Sequence, residues 1–143
     1  MPPTKDLTAE HTEFLLHGTR TGKLGYTAAD GRPLIAPVWF TLDGEELVFT
    51  TFTDNAKARS IRRDPRVVLL VDLEEPPYAY VQVQGVADLV DDVAESRRIS
   101  TIVGGRYMGE DRADEFGARN GVPGELVVRI RPTKVIANLN VSG

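Results

Sequence analysis

With 143 residues, 41% of them hydrophobic and 27% charged, and a net charge of −4, the chain has the make-up of one globular domain over residues 1–143, and its acidic balance gives no global reason to expect nucleic acid or an anionic membrane as a partner. The absence of cysteine excludes disulfides, thiolate catalysis and cysteine-ligated zinc or iron–sulfur centres. Residues 1–6 lack the apolar stretch of a secretory signal, and the longest aliphatic run, residues 67–71, falls far short of the about 20 residues that a spanning helix needs, so a cytoplasmic protein is expected.

Thr8 can cap a helix over residues 9–17, with Phe14, Leu15 and Leu16 on one side, and Gly18 stops it. Residues 23–28 read as a strand. Asp30-Gly31, the strongest short hairpin signal, leads into a second strand over residues 34–42. Pro37 inside that strand implies a sheet edge, a bulge or a departure from regular pairing, because proline cannot donate to a ladder. Asp43-Gly44 turns the chain into a third strand over residues 46–52, and a short helix follows over residues 55–63, ended by Asp64-Pro65. Residues 66–73 form a strand rich in valine and leucine, broken by Glu74-Glu75-Pro76-Pro77. Residues 78–90 alternate, with Tyr80, Gln82 and Gln84 on one face and Val81, Val83 and Gly85 on the other. Helices over residues 93–107 and 111–119, a loop at 120–124, and two closing strands over 125–130 and 134–139 complete the chain. Three meandering strands ahead of any strand–helix alternation argue against a doubly wound parallel sheet. They point to a mainly β fold, an antiparallel barrel with helices filling its gaps.

Much familiar chemistry is missing. The two histidines, His11 and His17, lie six apart on one helix, not the four that would share a face for a metal, and read as surface or partly packed residues. No serine sits in a Gly-x-Ser-x-Gly elbow. The acidic pairs Glu45-Glu46, Glu74-Glu75 and Asp91-Asp92 fall at turns or element ends, where solvation accounts for them. Neither Gly-x-Gly-x-x-Gly nor a P-loop is present. An enzyme of this composition would take its reactive group from an organic cofactor.

The most informative segment is residues 50–66, TTFTDNAKARSIRRDPR, where from Lys57 to Arg66 five cations face Asp64 alone. A strand end, a tight turn and a helix whose first turn carries Lys57 bring together several anion-binding groups. The first amides of a helix lack internal partners and carry about half a positive charge. Thr50, Thr51 and Thr53 add hydroxyls, and Lys57 adds a full charge, so a phosphate would be at home here. The alternative is a solvated helix face, since Arg59, Arg62, Arg63 and Arg66 recur three or four residues apart, as one exposed stripe would.

The order and spacing of Asp30-Gly31-Arg32-Pro33, Pro37-Val38-Trp39-Phe40, Lys57 with Ile61-Arg62-Arg63-Asp64-Pro65-Arg66-Val67, and Gln84-Gly85-Val86-Ala87 resemble the pyridoxamine-phosphate-oxidase-like split β-barrels that bind flavin or deazaflavin. Arg106-Tyr107-Met108-Gly109-Glu110 and Val128-Arg129-Ile130-Arg131-Pro132-Thr133-Lys134-Val135 are similar to the actinobacterial branch that uses the deazaflavin cofactor F420. The resemblance spans about residues 10–136.

It implies an antiparallel split β-barrel forming a homodimer, with two cofactors at the subunit interface and a small-molecule substrate. By position, Lys57 resembles the lysine on the cofactor phosphate, with Thr50, Thr51 and Asn55 completing that pocket. Pro37, Val38 and Trp39 resemble the strand lining the tricyclic ring, and Tyr80 sits where the partner subunit reaches the cofactor. Some relatives have arginine where this chain has Asn55, so charge compensation for the phosphate would be weaker or come from Arg59 or Arg62, and the long anionic tail would give Arg59, Arg62 or Arg63 a use. The implied activity is hydride transfer from reduced F420 to a small conjugated or electron-poor acceptor. Flavin mononucleotide (FMN) is the alternative cofactor, and a cofactor carrier without turnover is the alternative role, since no side chain stands out as a proton donor.

Overall fold

The computed structural model describes residues 2–143. Helix α1 (Ala9–Leu16) precedes strands β1 (Gly22–Thr27), β2 (Pro33–Val38), β3 (Thr41–Asp43) and β4 (Glu46–Phe52). Helix α2 (Ala56–Arg63), strands β5 (Arg66–Asp72) and β6 (Tyr80–Val90), helices α3 (Val93–Met108) and α4 (Ala113–Asn120), and strand β7 (Glu125–Asn138) follow. A 3-10 turn, Glu110–Arg112, separates α3 from α4.

All seven strands belong to one antiparallel sheet in the order β2-β1-β5-β6-β7-β4-β3. Its two outermost strands, β2 and β3, are consecutive in the chain and separated by Trp39 and Phe40 alone. Two residues span only about 10 Å, so the sheet must curl until its edges meet without pairing. The result is a split β-barrel. The expected strand over residues 34–42 is therefore two strands with a corner between them. Pro37 occupies a sheet edge, one of the settings its missing N–H allows.

The barrel interior follows from the period-2 alternation of its strands: Leu24, Leu47, Phe49, Leu69, Val71, Val81, Val83, Val128 and Ile130 point inward and are all but fully buried, closed over by Phe40 and Leu15. A second core lies outside the barrel, where Val48 of β4 and Val127 of β7 pack under Ile99 and Val103 of α3.

The two closing strands expected at 125–130 and 134–139 are one strand. β7 continues past the last residue paired with β4, Ile130 opposite Leu47, and stays paired to β6, with Thr4 bridging to Val135 on its other side. The register shifts between Gln84 and Gly85, leaving Thr133 as an extra residue. Pro132 thus falls at a bulge and beyond the β4 ladder. Gly85 is required there because a Cβ would come within 2.6 Å of the Arg131 carbonyl oxygen. β6 begins at Tyr80, not at residue 78, since Tyr78 has φ 56° and belongs to the preceding turn.

His11 corrects another expectation. It is 2% exposed and completes a capping box: the His11 amide donates to Thr8 Oγ1 at 3.2 Å, and the Thr8 amide donates to His11 Nδ1 at 3.0 Å. Leu16, expected on the packed side of α1, is exposed. Among the described residues no helix is long and apolar enough to cross a membrane.

Candidate functional site

A cavity of about 430 Å³ opens between the outer face of β4 and β7, the start of α2, and helices α3 and α4. The outer face is fixed by register. Phe52 pairs with Glu125 and Thr50 with Val127, so these four residues share a surface with Val48 while Leu47, Phe49 and Thr51 turn inward. α3 and α4 meet closely at the floor, because Gly104 leaves room for Phe116; a Cβ there would come within 2.4 Å of the Phe116 Cβ.

The start of α2 is built by Asn55. Its side chain accepts from the Ala58 amide at 3.2 Å and donates to Thr51 Oγ1. Asn55 serves one first-turn amide and leaves those of Ala56 and Lys57 as donors without intrahelical partners. Ser60, on the buried side of the helix, donates to the Thr27 carbonyl at 2.7 Å and accepts from the Thr27 amide at 3.2 Å, which pins α2 to β1. Ala58 and Ile61 join it in the interior, so Lys57 is left on the side that lines the cavity.

The structure therefore brings together seven of the residues singled out in the sequence, Pro37, Val38, Trp39, Thr50, Thr51, Asn55 and Lys57, around one cavity. Three others stand outside its lining. Arg62 donates to the Thr53 carbonyl at 2.9 Å and to the Thr53 hydroxyl, and Arg59 donates to the Asp54 carbonyl. Both guanidiniums brace the 53–54 turn, and Thr53 is engaged there as well. Tyr80 lies on β6 between Asp72 and Asn138. The arginine stripe also ends sooner than its spacing suggests, because α2 stops at Arg63. Arg66 opens β5 and pairs with Asp64 at 2.8 Å.

Trp39 forms the opposite wall. Its indole stacks on the Tyr107 ring, meets Phe116 edge-on at 5.9 Å, and remains 41% exposed. The neighbouring Arg106 secures this wall, donating to the carbonyls of Phe40 at 2.6 Å, Leu15 at 2.7 Å and Gly18 at 3.0 Å. Burial lowers the Arg106 pKa and raises that of Tyr107.

Several lining residues had no signature in the sequence: Phe52, Ser100, Val103, Gly104, Phe116, Asn120 and Glu125. The Ser100 hydroxyl lies 3.4 Å from that of Thr50. Glu125 is half-buried, and burial pushes its carboxyl above the ordinary range while the Thr50 hydroxyl pulls it back. Lys57 and Glu125 are the two ionisable residues of the lining. The chemistry on offer is thus an anion cradle of amine, amides and hydroxyls at one end and an exposed aromatic wall at the other, which suits a phosphate-bearing ring compound.

Comparison with known proteins bears on the fold and the family. A family model described as pyridoxamine 5'-phosphate oxidase matches residues 7–138. Among solved structures, an F420 reductase is 31% identical, with 90% of this chain and 98% of that one covered and a TM-score of 0.70. A conserved hypothetical protein from Mycobacterium tuberculosis is 25% identical over 96% of this chain and 88% of its own, with a TM-score of 0.82. General Stress Protein 26 from Bacillus anthracis, at 21% identity and a TM-score of 0.67, covering 90% of this chain and 91% of its own, shares the fold. The curled seven-stranded sheet and the family match over residues 7–138 together show that the chain belongs to the pyridoxamine 5'-phosphate oxidase family.

Proposed function

We propose that the protein is an F420-dependent oxidoreductase that passes hydride from the reduced deazaflavin to a small conjugated or electron-poor acceptor. The observation that carries this reading is the single cavity shared by Lys57, the free amides opening α2, and the exposed indole of Trp39. When bound, the cofactor would supply the hydride. This chain's residues would hold and orient it: Lys57 with its amide and the Thr50 hydroxyl on the phosphate, Trp39 and the 37–38 backbone beside the ring. Positioning of this kind can lower a barrier by several kcal/mol.

At the phosphate itself, charge favours deazaflavin over FMN. The F420 phosphate is a diester with one negative charge, whereas the FMN phosphate is a monoester that approaches two. The lining holds one cation, Lys57, beside one carboxylate, Glu125, and has Asn55 where a second cation could stand. That balance suits a monoanion. The 31% identity to an F420 reductase supports the same choice.

A homodimer is part of the proposal. Ile35 on edge strand β2 is 70% exposed, and beside it a depression of about 400 Å³ along β1, β5 and β6 is lined in part by the outward-facing Val68 and Val86. A second copy would cover this apolar surface and bring Tyr80 toward a cofactor. The setting we propose is the cytoplasm.

The test is a titration of the purified protein with F420 and with FMN, read by the fluorescence of its one tryptophan, followed by assay of reduced F420 against quinones and enones. Saturable quenching by F420 with turnover of some acceptor is expected. A protein isolated yellow with near-stoichiometric FMN would overturn the cofactor assignment, and F420 binding without turnover on any acceptor would recast the protein as a carrier.

A further inference from the structure

A carboxylate is an odd companion for an anion site, and its placement here is specific. Glu125 opens β7 directly opposite Phe52, on the same sheet face as Thr50, and its backbone carbonyl is fixed by the Ser96 hydroxyl at 2.6 Å. The groups facing it from the surrounding elements are largely neutral: the Thr50 hydroxyl and Phe52 ring of β4, the Ser96 and Ser100 hydroxyls of α3, and Asn120 of α4. Lys57 of α2 is the charged exception, while Arg97 and Arg119 are exposed and outside the lining. Among the described residues no ion pair joins Lys57 to Glu125.

We propose that Glu125 is a charge filter in this cavity, setting its preference for a phosphodiester monoanion over a phosphomonoester dianion. The inference rests on the cofactor site assigned above and adds a specificity determinant to it. Repulsion between two charges scales with their product, so an ionised Glu125 opposes a dianion twice as strongly, in free energy, as a monoanion at the same place. The protonated acid opposes neither. Burial raises the carboxyl's pKa, which brings the switch closer to neutral pH.

Two probes with one ring isolate the effect: the 5'-phosphomonoester of the deazaflavin chromophore and the methyl ester of that phosphate. Their dissociation constants are measured by tryptophan quenching on full-length wild type and on Glu125→Gln between pH 5 and pH 8.5. The expected signature at pH 8 is a square relation: if the variant binds the diester about threefold more tightly, it binds the monoester about tenfold more tightly. The gap narrows as pH falls, and it is read on the diester, whose single charge is constant over this range, because the monoester itself becomes a monoanion below its second pKa of about 6. Glu125→Asp should retain the discrimination. Equal factors for the two probes, or none, overturn the filter while leaving the cofactor site standing. Failure of wild type to bind either probe overturns both.

Discussion

The indole of Trp39 lies parallel to the phenol of Tyr107, with 5.2 Å between ring centroids and 8° between planes. The same tyrosine hydroxyl donates to the Arg20 carbonyl at 2.8 Å and accepts from the Phe40 amide at 3.3 Å. Tyr107 therefore holds the corner between β2 and β3 from two sides, through the ring on one residue and the backbone on the next. The corner is where the sheet closes, so Tyr107, with Arg106 on the Phe40 carbonyl, ties the wall of the cavity to the closure of the barrel.

Tyr107→Phe keeps the stack and removes both hydrogen bonds. It should lower stability by about 1–2 kcal/mol, read by denaturant unfolding, while leaving the emission maximum of Trp39 in place. Tyr107→Ala should also shift that emission to the red. A red shift in the phenylalanine variant would show that the hydroxyl, and not the ring, positions the indole.

Lys57 makes a sharper claim on function. It lines the cavity with no carboxylate paired to it in the ion pairs of the described residues. Lys57→Ala should therefore weaken F420 binding by roughly 1.5–3 kcal/mol, the scale of a lost charged hydrogen bond, and leave thermal stability near wild type. Unchanged affinity would remove Lys57 from the site.

At the outer rim of the barrel, Asp43 accepts from Arg98 and from Arg129, each at 2.8 Å. These guanidiniums, Arg98 foremost, hold its carboxyl at about 2. A depressed carboxylate pKa contributes stability that is complete above its unfolded value of about 4 and is lost as pH falls toward 2. Asp43→Asn should cost about 1–2 kcal/mol near neutral pH, after allowance for solvent screening, and nothing near pH 2. Asp64, likewise held at about 2 by Arg66, titrates in the same window but cancels in the difference between wild type and variant. Equal losses at both pH values would mean that packing, not charge, accounts for the effect.

What the sequence disclosed divides along a physical line. Short-range signals were readable: Thr8 as a helix cap, Asp30-Gly31 as a turn, Pro37 as a position at an edge or irregularity, and Lys57 on a first turn. Features set by distant partners were not. The break at Trp39 and Phe40 is demanded by closure of the sheet, and nothing in that apolar run marks it. The bulge at Thr133 exists because β7 outlasts β4. Glu125 joins the site only through a strand register that places it opposite Phe52, and a lone acid after a glycine carries no such information. Arg106, part of a family motif, serves to grip four carbonyls.

His11 was misread for a related reason, and it yields a pH prediction. The capping-box pattern has Glu or Gln at the third helical position, whereas this chain has histidine, whose Nδ1 must be unprotonated to accept from the Thr8 amide. Burial lowers its pKa, with Glu10 opposing weakly. Because the folded value lies below the unfolded one of about 6.5, the contribution is complete above that pH and is lost as pH falls toward the folded value. Glu125, raised by burial, has the opposite slope and is common to both proteins in the comparison. His11→Gln can rebuild the box without a titrating ring. Relative to wild type it should show a smaller loss of unfolding free energy between pH 7 and pH 5, with a difference of about 0.5–2 kcal/mol, the worth of a cap. Parallel pH profiles would mean that His11 takes up protons alike in the folded and unfolded chain, and the bond from the Thr8 amide to its Nδ1 would then contribute nothing to the pH dependence.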